Sequence, residues 1–168
     1  MSIFLYVLLS FSTVDCTNGV NTIVKVDYAN TKECILEEND PIYEWKLEIP
    51  KIELLAQIEE GTTVEILDEY IGHFENTSKI SGNIVLAAHN RGYKVNYFEK
   101  LKDLEIGDEV IYTVNNLKKI YKISSKNIIK DTDVKVLEKT DENILTLITC
   151  VENEPSLRRC LIAKEINK

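Results

Sequence analysis

The chain has 168 residues, of which 44% are hydrophobic and 29% are charged, and this composition predicts one domain with a well-buried core. Its formal net charge of −8 argues against a nucleic-acid-binding surface, because phosphate binding needs clustered lysine and arginine side chains. The four cysteines form neither a CxxC pattern nor a cysteine-and-histidine zinc pattern, so no metal site is expected. The spacing of the cysteines permits a disulfide between Cys16 and Cys34.

Three regions follow one another along the sequence. Residues 1–14 are an apolar stretch without a charged side chain, which we interpret as an anchor or signal-like segment. The stretch is shorter than the roughly 20 residues of a spanning helix and lacks the basic start of a signal peptide, so a short buried element is the alternative. Residues 15–42 are mostly polar and predict a linker or irregular arm, and residues 43–168 are the predicted folded domain.

Short apolar or alternating runs, separated by turn residues, predict an all-β barrel or sandwich for the folded domain. The continuous apolar run 83–88 predicts a buried central strand, and Asn115-Asn116 between two alternating runs predicts a hairpin turn. Helical patterns are confined to short stretches within 63–70, 97–101 and 132–137. The predicted strands cover residues 47–49, 52–60, 83–88, 109–114, 119–123, 144–149 and 161–166.

One apolar run ends in a cysteine, Thr146-Leu-Ile-Thr-Cys150, and an arginine at position 158 precedes the next apolar run. If these two runs pair as neighbouring strands, the Cys150 thiol and the Arg158 guanidinium can meet on one face of the sheet. A neighbouring permanent cation favours the thiolate, which is the nucleophilic form of cysteine. The pattern therefore predicts an activated cysteine nucleophile.

A nucleophile of this kind needs a group that exchanges protons, and the chain has two histidines. His89 ends the apolar run 83–88, much as Cys150 ends its own run, and the mouth of a loop is where β scaffolds present catalytic groups. His73 lies in a turn-rich stretch beside Gly72 and is interpreted as a partly exposed turn residue. The sequence favours His89 as the general acid and base.

Several further motifs occur in a fixed order around these residues. They are Leu47-x-Ile49-Pro50-Lys51-Ile52, Gly72-His73-Phe74, Gly82-Asn83-x-x-Leu86-Ala-x-His89, Tyr97-Phe98-x-x-Leu101, Leu145-Thr-Leu-Ile-Thr-Cys150 and Arg158-x-x-x-Ile162-Ala163. In these motifs and their spacing, the stretch from Trp45 to Ile166 resembles the sortases, the membrane-anchored cysteine transpeptidases of Gram-positive bacteria. The resemblance is to the class A and class D members and implies an eight-stranded sortase-type β-barrel with a few short helices in its loops.

The resemblance also assigns roles to individual residues. It implies that Cys150 is the nucleophile, His89 the general acid and base, and Arg158 the group that stabilises the oxyanion or positions the substrate. Arg158 matches better than Arg159, because Ala163 follows it at the family's spacing, and strand alternation would turn Arg159 to the other face. Arg159 remains the alternative.

By the same resemblance, five apolar residues are expected to line the substrate groove: Ala87, Val134, Val136, Leu137 and Ile148. Ordinary core packing is the alternative for each of them. Some sortases bind calcium through acidic loop residues, but here Lys139 occupies one such position and Glu75 is the one upstream carboxylate, although Glu138 could compensate. The sequence therefore argues against calcium activation and predicts no cofactor.

By the same resemblance, the predicted function is cleavage of an LPxTG-like C-terminal sorting signal between Thr and Gly, through a thioester on Cys150. The resemblance also implies the expected partners, which are surface proteins that carry such signals and a peptidoglycan precursor or cross-bridge amine that accepts the acyl group. The expected location is the extracytoplasmic face of the cell membrane, with the N-terminal segment as anchor. The alternatives are a cysteine–histidine peptidase that releases surface peptides by hydrolysis, and a non-catalytic surface β-barrel.

Overall fold

Residues 44–166, which a computed structural model describes, form a closed barrel of eight β-strands. The strand order around the barrel is β1-β2-β3-β4-β7-β8-β6-β5, and β5 pairs with β1 to close it. The all-β prediction and the eight-stranded barrel are therefore confirmed. The strands are β1 Trp45–Ile49, β2 Leu54–Glu60, β3 Ile71–His73, β4 Asn83–Ala87, β5 Glu109–Val114, β6 Leu117–Lys130, β7 Ile144–Val151 and β8 Glu154–Glu165.

Helical structure in residues 44–166 is short and lies between strands. It comprises one α-helical turn, α1 Val64–Leu67, and three 3-10 turns at Pro50–Ile52, Glu99–Asp103 and Val134–Leu137. Within residues 44–166, none of the helical segments combines the length and the apolar character of a membrane span. The predicted anchor segment 1–14 and the predicted arm 15–42 lie outside the described residues.

The barrel core comes from strand alternation, as the sequence predicted. In β5 the inward positions Val110, Tyr112 and Val114 are buried, while Glu109 is exposed. In β4 four successive residues are buried, because the strand has the barrel core on one face and a second apolar cluster on the other. The continuous apolar run 83–88 therefore corresponds to a central strand with both faces covered.

The predicted hairpin between β5 and β6 is present, with Asn115 and Asn116 at its turn. Both residues have positive φ values, 46° and 66°, as a type I′ turn requires. Asparagine tolerates this left-handed backbone better than most residues, because its short polar side chain bonds locally. The hairpin therefore forms from local sequence.

The stretch around Gly72 was predicted as a turn and instead forms β3. A Cβ atom at Gly72 would lie 2.4 Å from the carbonyl oxygen of Gly61 and 2.7 Å from Leu67 Cδ2, so only glycine fits there. This close approach lets β3 pair in parallel with β2 and antiparallel with β4. The glycine that suggested a turn serves close packing within the barrel.

Candidate active site

The carboxyl ends of β4 and β7 lie side by side at one edge of the barrel. The two strands run parallel, in a register that extends from Asn83 opposite Ile144 to Ala87 opposite Ile148. Beyond the paired residues, the Thr149 hydroxyl donates to the carbonyl oxygen of Ala88 at 2.7 Å. If this register is extended by two residues, His89 and Cys150 lie at the same level.

Cys150 lies directly opposite Arg158 on the antiparallel neighbour β8. Residues opposed in this way project from the same face, with Cβ atoms roughly 5 Å apart. Arg159 is paired with Thr149 and therefore projects from the other face. Of the two adjacent arginines, it is Arg158 whose position shares a face with the exposed Cys150.

The Arg158 side chain is held by its own strand. Its Nη1 atom donates hydrogen bonds of 2.8 Å to the carbonyl oxygens of Pro155 and Leu157. A guanidinium carries five N–H donors, and the other three are on Nε and Nη2. The geometry suits a group that is fixed through one nitrogen and presents the others to a ligand.

His89 lies just beyond the end of β4, and its side chain is 10% exposed. Its ring stacks on Tyr93 with centroids 3.5 Å apart and planes inclined by 5°. Its Nε2 atom lies 3.6 Å from Oδ1 of Asp68, which follows α1. Burial lowers the pKa of His89 below its ordinary value, and the negative charge of Asp68 partly opposes this effect.

A second apolar cluster lies outside the barrel core, on the face to which Cys150 belongs. Its buried members are Val85, Ile148 and Cys160, with Cys160 directly opposite Ile148 on β8. Burial, with a smaller contribution from the charge of Asp133, raises the pKa of the Cys160 thiol to about 11. The partly buried side chains packed against this cluster are Phe74, Ile129, Val136, Leu137 and Ile162.

Of the five predicted groove residues, three belong to this cluster: Ile148, Val136 and Leu137. Ala87 is half-buried and pairs with Ile148 across the parallel strands. Val134 is 68% exposed at the start of its 3-10 turn and is not packed against the cluster. The cluster therefore forms an apolar surface two residues back along β7 from Cys150.

Sequence reasoning did not identify two asparagines that hold the edges of this region. The Asn90 side chain donates to the carbonyl oxygen of Cys150 at 2.8 Å, which ties the loop after β4 to the end of β7. The Asn83 side-chain amide donates to the carbonyl oxygens of Val136 and Glu138, at 2.8 and 2.9 Å. The sequence signal that could have identified them is their position, because Asn83 begins the apolar run 83–88 and Asn90 follows it by two residues.

His73 is not the partly exposed turn residue that the sequence predicted. Its side chain is 0% exposed, because β3 places it beside Trp45 with ring centroids 5.2 Å apart. Its Nδ1 atom lies 3.1 Å from a Glu60 carboxylate oxygen, and its Nε2 atom lies 3.0 Å from the Ser78 carbonyl oxygen. Both ring nitrogens are occupied within the fold, so His89 is the histidine available to a substrate.

Within residues 44–166, no group of three or more histidine, cysteine or acidic side chains is arranged to hold a metal ion. Glu75 and Lys139, the positions considered for calcium, line the same cavity of about 550 Å³ beside the loops that follow β3 and the Val134–Leu137 turn. Calcium independence and the lack of a cofactor remain predictions.

The family model described as the sortase domain matches residues 47–166 of the chain. Sortase A of Staphylococcus aureus is 34% identical over 130 residues, covering 71% of this chain and 63% of that protein. Sortase A of Bacillus anthracis is 25% identical over 122 residues, covering 72% of this chain and 58% of that protein. The chain thus spans about three fifths of the length of these two relatives. The structure of sortase C1 from Streptococcus suis superposes with a TM-score of 0.70 at 27% identity, covering 74% of this chain and 73% of that one.

Proposed function

The chain belongs to the sortase family, and on that premise we propose that it is a cysteine transpeptidase that cleaves an LPxTG-like sorting signal between Thr and Gly. The observation that carries the proposal is the strand register, which opposes Cys150 to Arg158 and brings the end of β4, with His89, to the same edge. These are the three chemical groups that acyl transfer through a thioester needs: a nucleophile, an oxyanion stabiliser and a proton carrier.

In the first half of the reaction, the Cys150 thiolate attacks the carbonyl carbon of the sorting-signal Thr. The electron pair of the carbonyl moves to oxygen, and the Arg158 guanidinium stabilises that oxyanion. When the tetrahedral intermediate collapses, the C–N bond to Gly breaks and the His89 imidazolium gives its proton to the leaving amine. The products are a thioester on Cys150, a neutral His89 and the released C-terminal fragment.

In the second half, an amine attacks the thioester carbonyl. Neutral His89 takes the proton that the attacking amine loses, and the C–S bond breaks to regenerate the Cys150 thiolate. Transfer to an amine rather than to water requires that the thioester be shielded from solvent. The stacking of exposed Tyr93 on His89 supports such shielding at one side of the reacting centre.

The apolar cluster on the Cys150 face supports the choice of a peptide with apolar residues. Ile148 and Cys160 would form the floor under the leucine and proline of the signal, and Val136 and Leu137 would form a wall. Ala87 would continue the floor on β4. Val134, exposed at the start of the turn, would contact the peptide only when it is bound.

The wider biological setting belongs to the same proposal. The substrates would be surface proteins with LPxTG-like signals, and the acceptor would be a peptidoglycan precursor or cross-bridge amine. The enzyme would act at the extracytoplasmic face of the cell membrane, anchored through its N-terminal segment. Each of these statements rests on family membership rather than on a contact in the barrel.

Product analysis tests the proposed reaction. The full chain is incubated with an LPxTG-type peptide, with and without triglycine or a diaminopimelate-containing peptide, and the products are separated by mass. We expect cleavage after Thr and, with the amine, a new amide between Thr and the acceptor. The Cys150→Ala variant should form neither product. Hydrolysed acid alone under saturating amine, across both acceptors, would favour the peptidase alternative.

A further inference from the structure

The surroundings of His89 contain two buried polar atoms that face one another without a hydrogen-bond partner. Nε2 of His89 and Oδ1 of Asp68 are both buried from water and neither makes a hydrogen bond. They lie 3.6 Å apart, slightly beyond hydrogen-bond distance. Leaving two such atoms unsatisfied is costly, and one proton on Nε2 would satisfy both of them at once.

We propose that Asp68 is a positioning residue for His89, which keeps a proton on Nε2 and stabilises the imidazolium that the leaving amine needs. The role of the imidazolium in this proposal rests on the proposed acyl-transfer function, whereas the contact between Asp68 and His89 is a feature of the structure. If Nε2 were unprotonated, its lone pair would face a carboxylate, which is unfavourable. Nδ1 is then the nitrogen that exchanges its proton with the substrate, in the manner of a carboxylate-oriented histidine.

Asp68 is held in place by the contacts of its neighbours. Its backbone N–H donates to the Val64 carbonyl oxygen at 2.9 Å, which ends α1. The next residue, Glu69, accepts a 2.8 Å hydrogen bond from Lys94 and, through its carbonyl oxygen, a 3.2 Å bond from the Tyr97 hydroxyl. Lys94 and Tyr97 follow His89 in the chain, so the segment with Asp68 and the loop after His89 are fixed together.

The charges around His89 leave Asp68 as the carboxylate in contact with the ring. Glu69 is paired with Lys94, Arg91 donates to the side chain of Asn153 at 2.7 Å, and Glu152 is paired with Lys102. The ring therefore depends on Asp68 to offset the burial that lowers its pKa. The titratable and charged groups on the elements around His89 are Asp68 and Glu69 after α1, Arg91, Tyr93 and Lys94 in its own loop, Cys150 and Glu152 at the end of β7, and Arg158 on β8.

The test compares Asp68→Asn with Glu69→Gln, which removes one negative charge from the adjacent, exposed position. The chain has two histidines, so its ring signals in NMR spectra are few, and the His89 signal is the one that His89→Gln removes. In Asp68→Asn we expect the titration midpoint of His89 to move to lower pH, and nitrogen shifts of the neutral ring to lose their preference for a proton on Nε2. In Glu69→Gln both properties should stay close to those of the wild type, because the glutamine oxygen still accepts the hydrogen bond from Lys94 and the backbone carbonyl still accepts the one from Tyr97. Asp68→Glu should restore most of the wild-type midpoint.

Steady-state kinetics of Asp68→Asn and Glu69→Gln form the second part of the test. Loss of imidazolium should lower kcat for the LPxTG-type peptide in Asp68→Asn more strongly at pH 8 than at pH 6, with KM little changed. An unchanged His89 midpoint in Asp68→Asn, or an equal shift in Glu69→Gln, would overturn the proposal. The NMR experiment needs no turnover, so a chain that proved inactive toward sorting peptides would still confirm or overturn the Asp68–His89 coupling.

Discussion

Cys150 and Arg158 occupy directly opposed positions on the antiparallel strands β7 and β8, while the adjacent Arg159 is opposed to the buried Thr149. Because strand residues alternate between faces, a shift of one residue in this register would exchange the two arginines. The register is fixed by the apolar residues on both faces of β7, where Leu145 and Leu147 face the core and Ile148 faces the outer cluster. The arginine that shares a face with Cys150 is thus set by core packing.

Exchanging each arginine for lysine tests this assignment. Arg158→Lys should lower kcat about 100-fold, because a point charge cannot reproduce a planar guanidinium fixed through Nη1 to two carbonyl oxygens. Arg159→Lys keeps the same charge on the other face and should leave kcat within about twofold of the wild type. Steady-state kinetics with a sorting-signal peptide measure both. A larger loss of kcat in Arg159→Lys than in Arg158→Lys would assign the stabilisation of the oxyanion to Arg159.

A pair of threonines in β7 tests whether the alignment of β4 and β7 matters for turnover. Both are buried, and each makes one side-chain hydrogen bond to β4 or to the residue that follows it: Thr146 to the Asn83 side chain at 2.8 Å, and Thr149 to the carbonyl oxygen of Ala88, just beyond β4, at 2.7 Å. Changing either to valine should cost about 1 to 2 kcal/mol of stability. Thr149→Val should in addition lower kcat about tenfold, since the lost bond lies next to both reacting residues. Equal kcat values in the two folded variants would contradict this.

The two cysteines of the barrel should differ sharply toward alkylating reagents. Cys150 is exposed, whereas Cys160 is 1% exposed and burial raises its pKa to about 11. A short pulse of iodoacetamide at pH 8, followed by peptide mapping, should label Cys150 and leave Cys160 unmodified, because the thiolate is the reactive form. Labelling of Cys160 at a similar rate in the folded chain would contradict its position in the apolar cluster.

The two histidines should have opposite effects when replaced. His73→Ala should lower the free energy of unfolding by about 2 to 4 kcal/mol, because it removes a fully buried ring. It also removes the contact between the ring Nε2 atom and the Ser78 carbonyl oxygen. His89→Ala should cost less stability but abolish turnover. Thermal denaturation, together with activity per folded molecule, separates the two effects. A stable His73→Ala variant without activity would mean that the roles of the histidines are misassigned.

Much of the fold could be predicted because it depends on local pattern. The hairpin at Asn115-Asn116 and the buried run of β4 both follow from residue types that suit one backbone conformation. No local pattern predicts that β6 continues to Lys130 or that β8 begins at Glu154, because those segments are mostly polar. They form strands since β6 and β8 pair with each other along that length, which is a long-range interaction.

Only those residues of the candidate site that belong to a sequence motif could be predicted. Cys150, His89 and Arg158 were identified from their positions at the ends of apolar runs. Asp68 was not, because its relation to His89 depends on how α1 packs beside the end of β4, and nothing in the local sequence marks an unpaired carboxylate. The burial of His73 was missed for a similar reason, since Gly72 suggested a turn rather than a close strand contact.

The most direct test of a Cys150 thioester is the intact mass of the chain after incubation with an LPxTG-type peptide in the absence of an added amine. We expect a covalent adduct whose mass corresponds to the peptide up to Thr, located on Cys150 by peptide mapping and released by hydroxylamine as a thioester is. The Cys150→Ala variant should carry no adduct. Peptide cleavage by Cys150→Ala at the wild-type rate, or an adduct that persists in Cys150→Ala, would contradict catalysis through a Cys150 thioester.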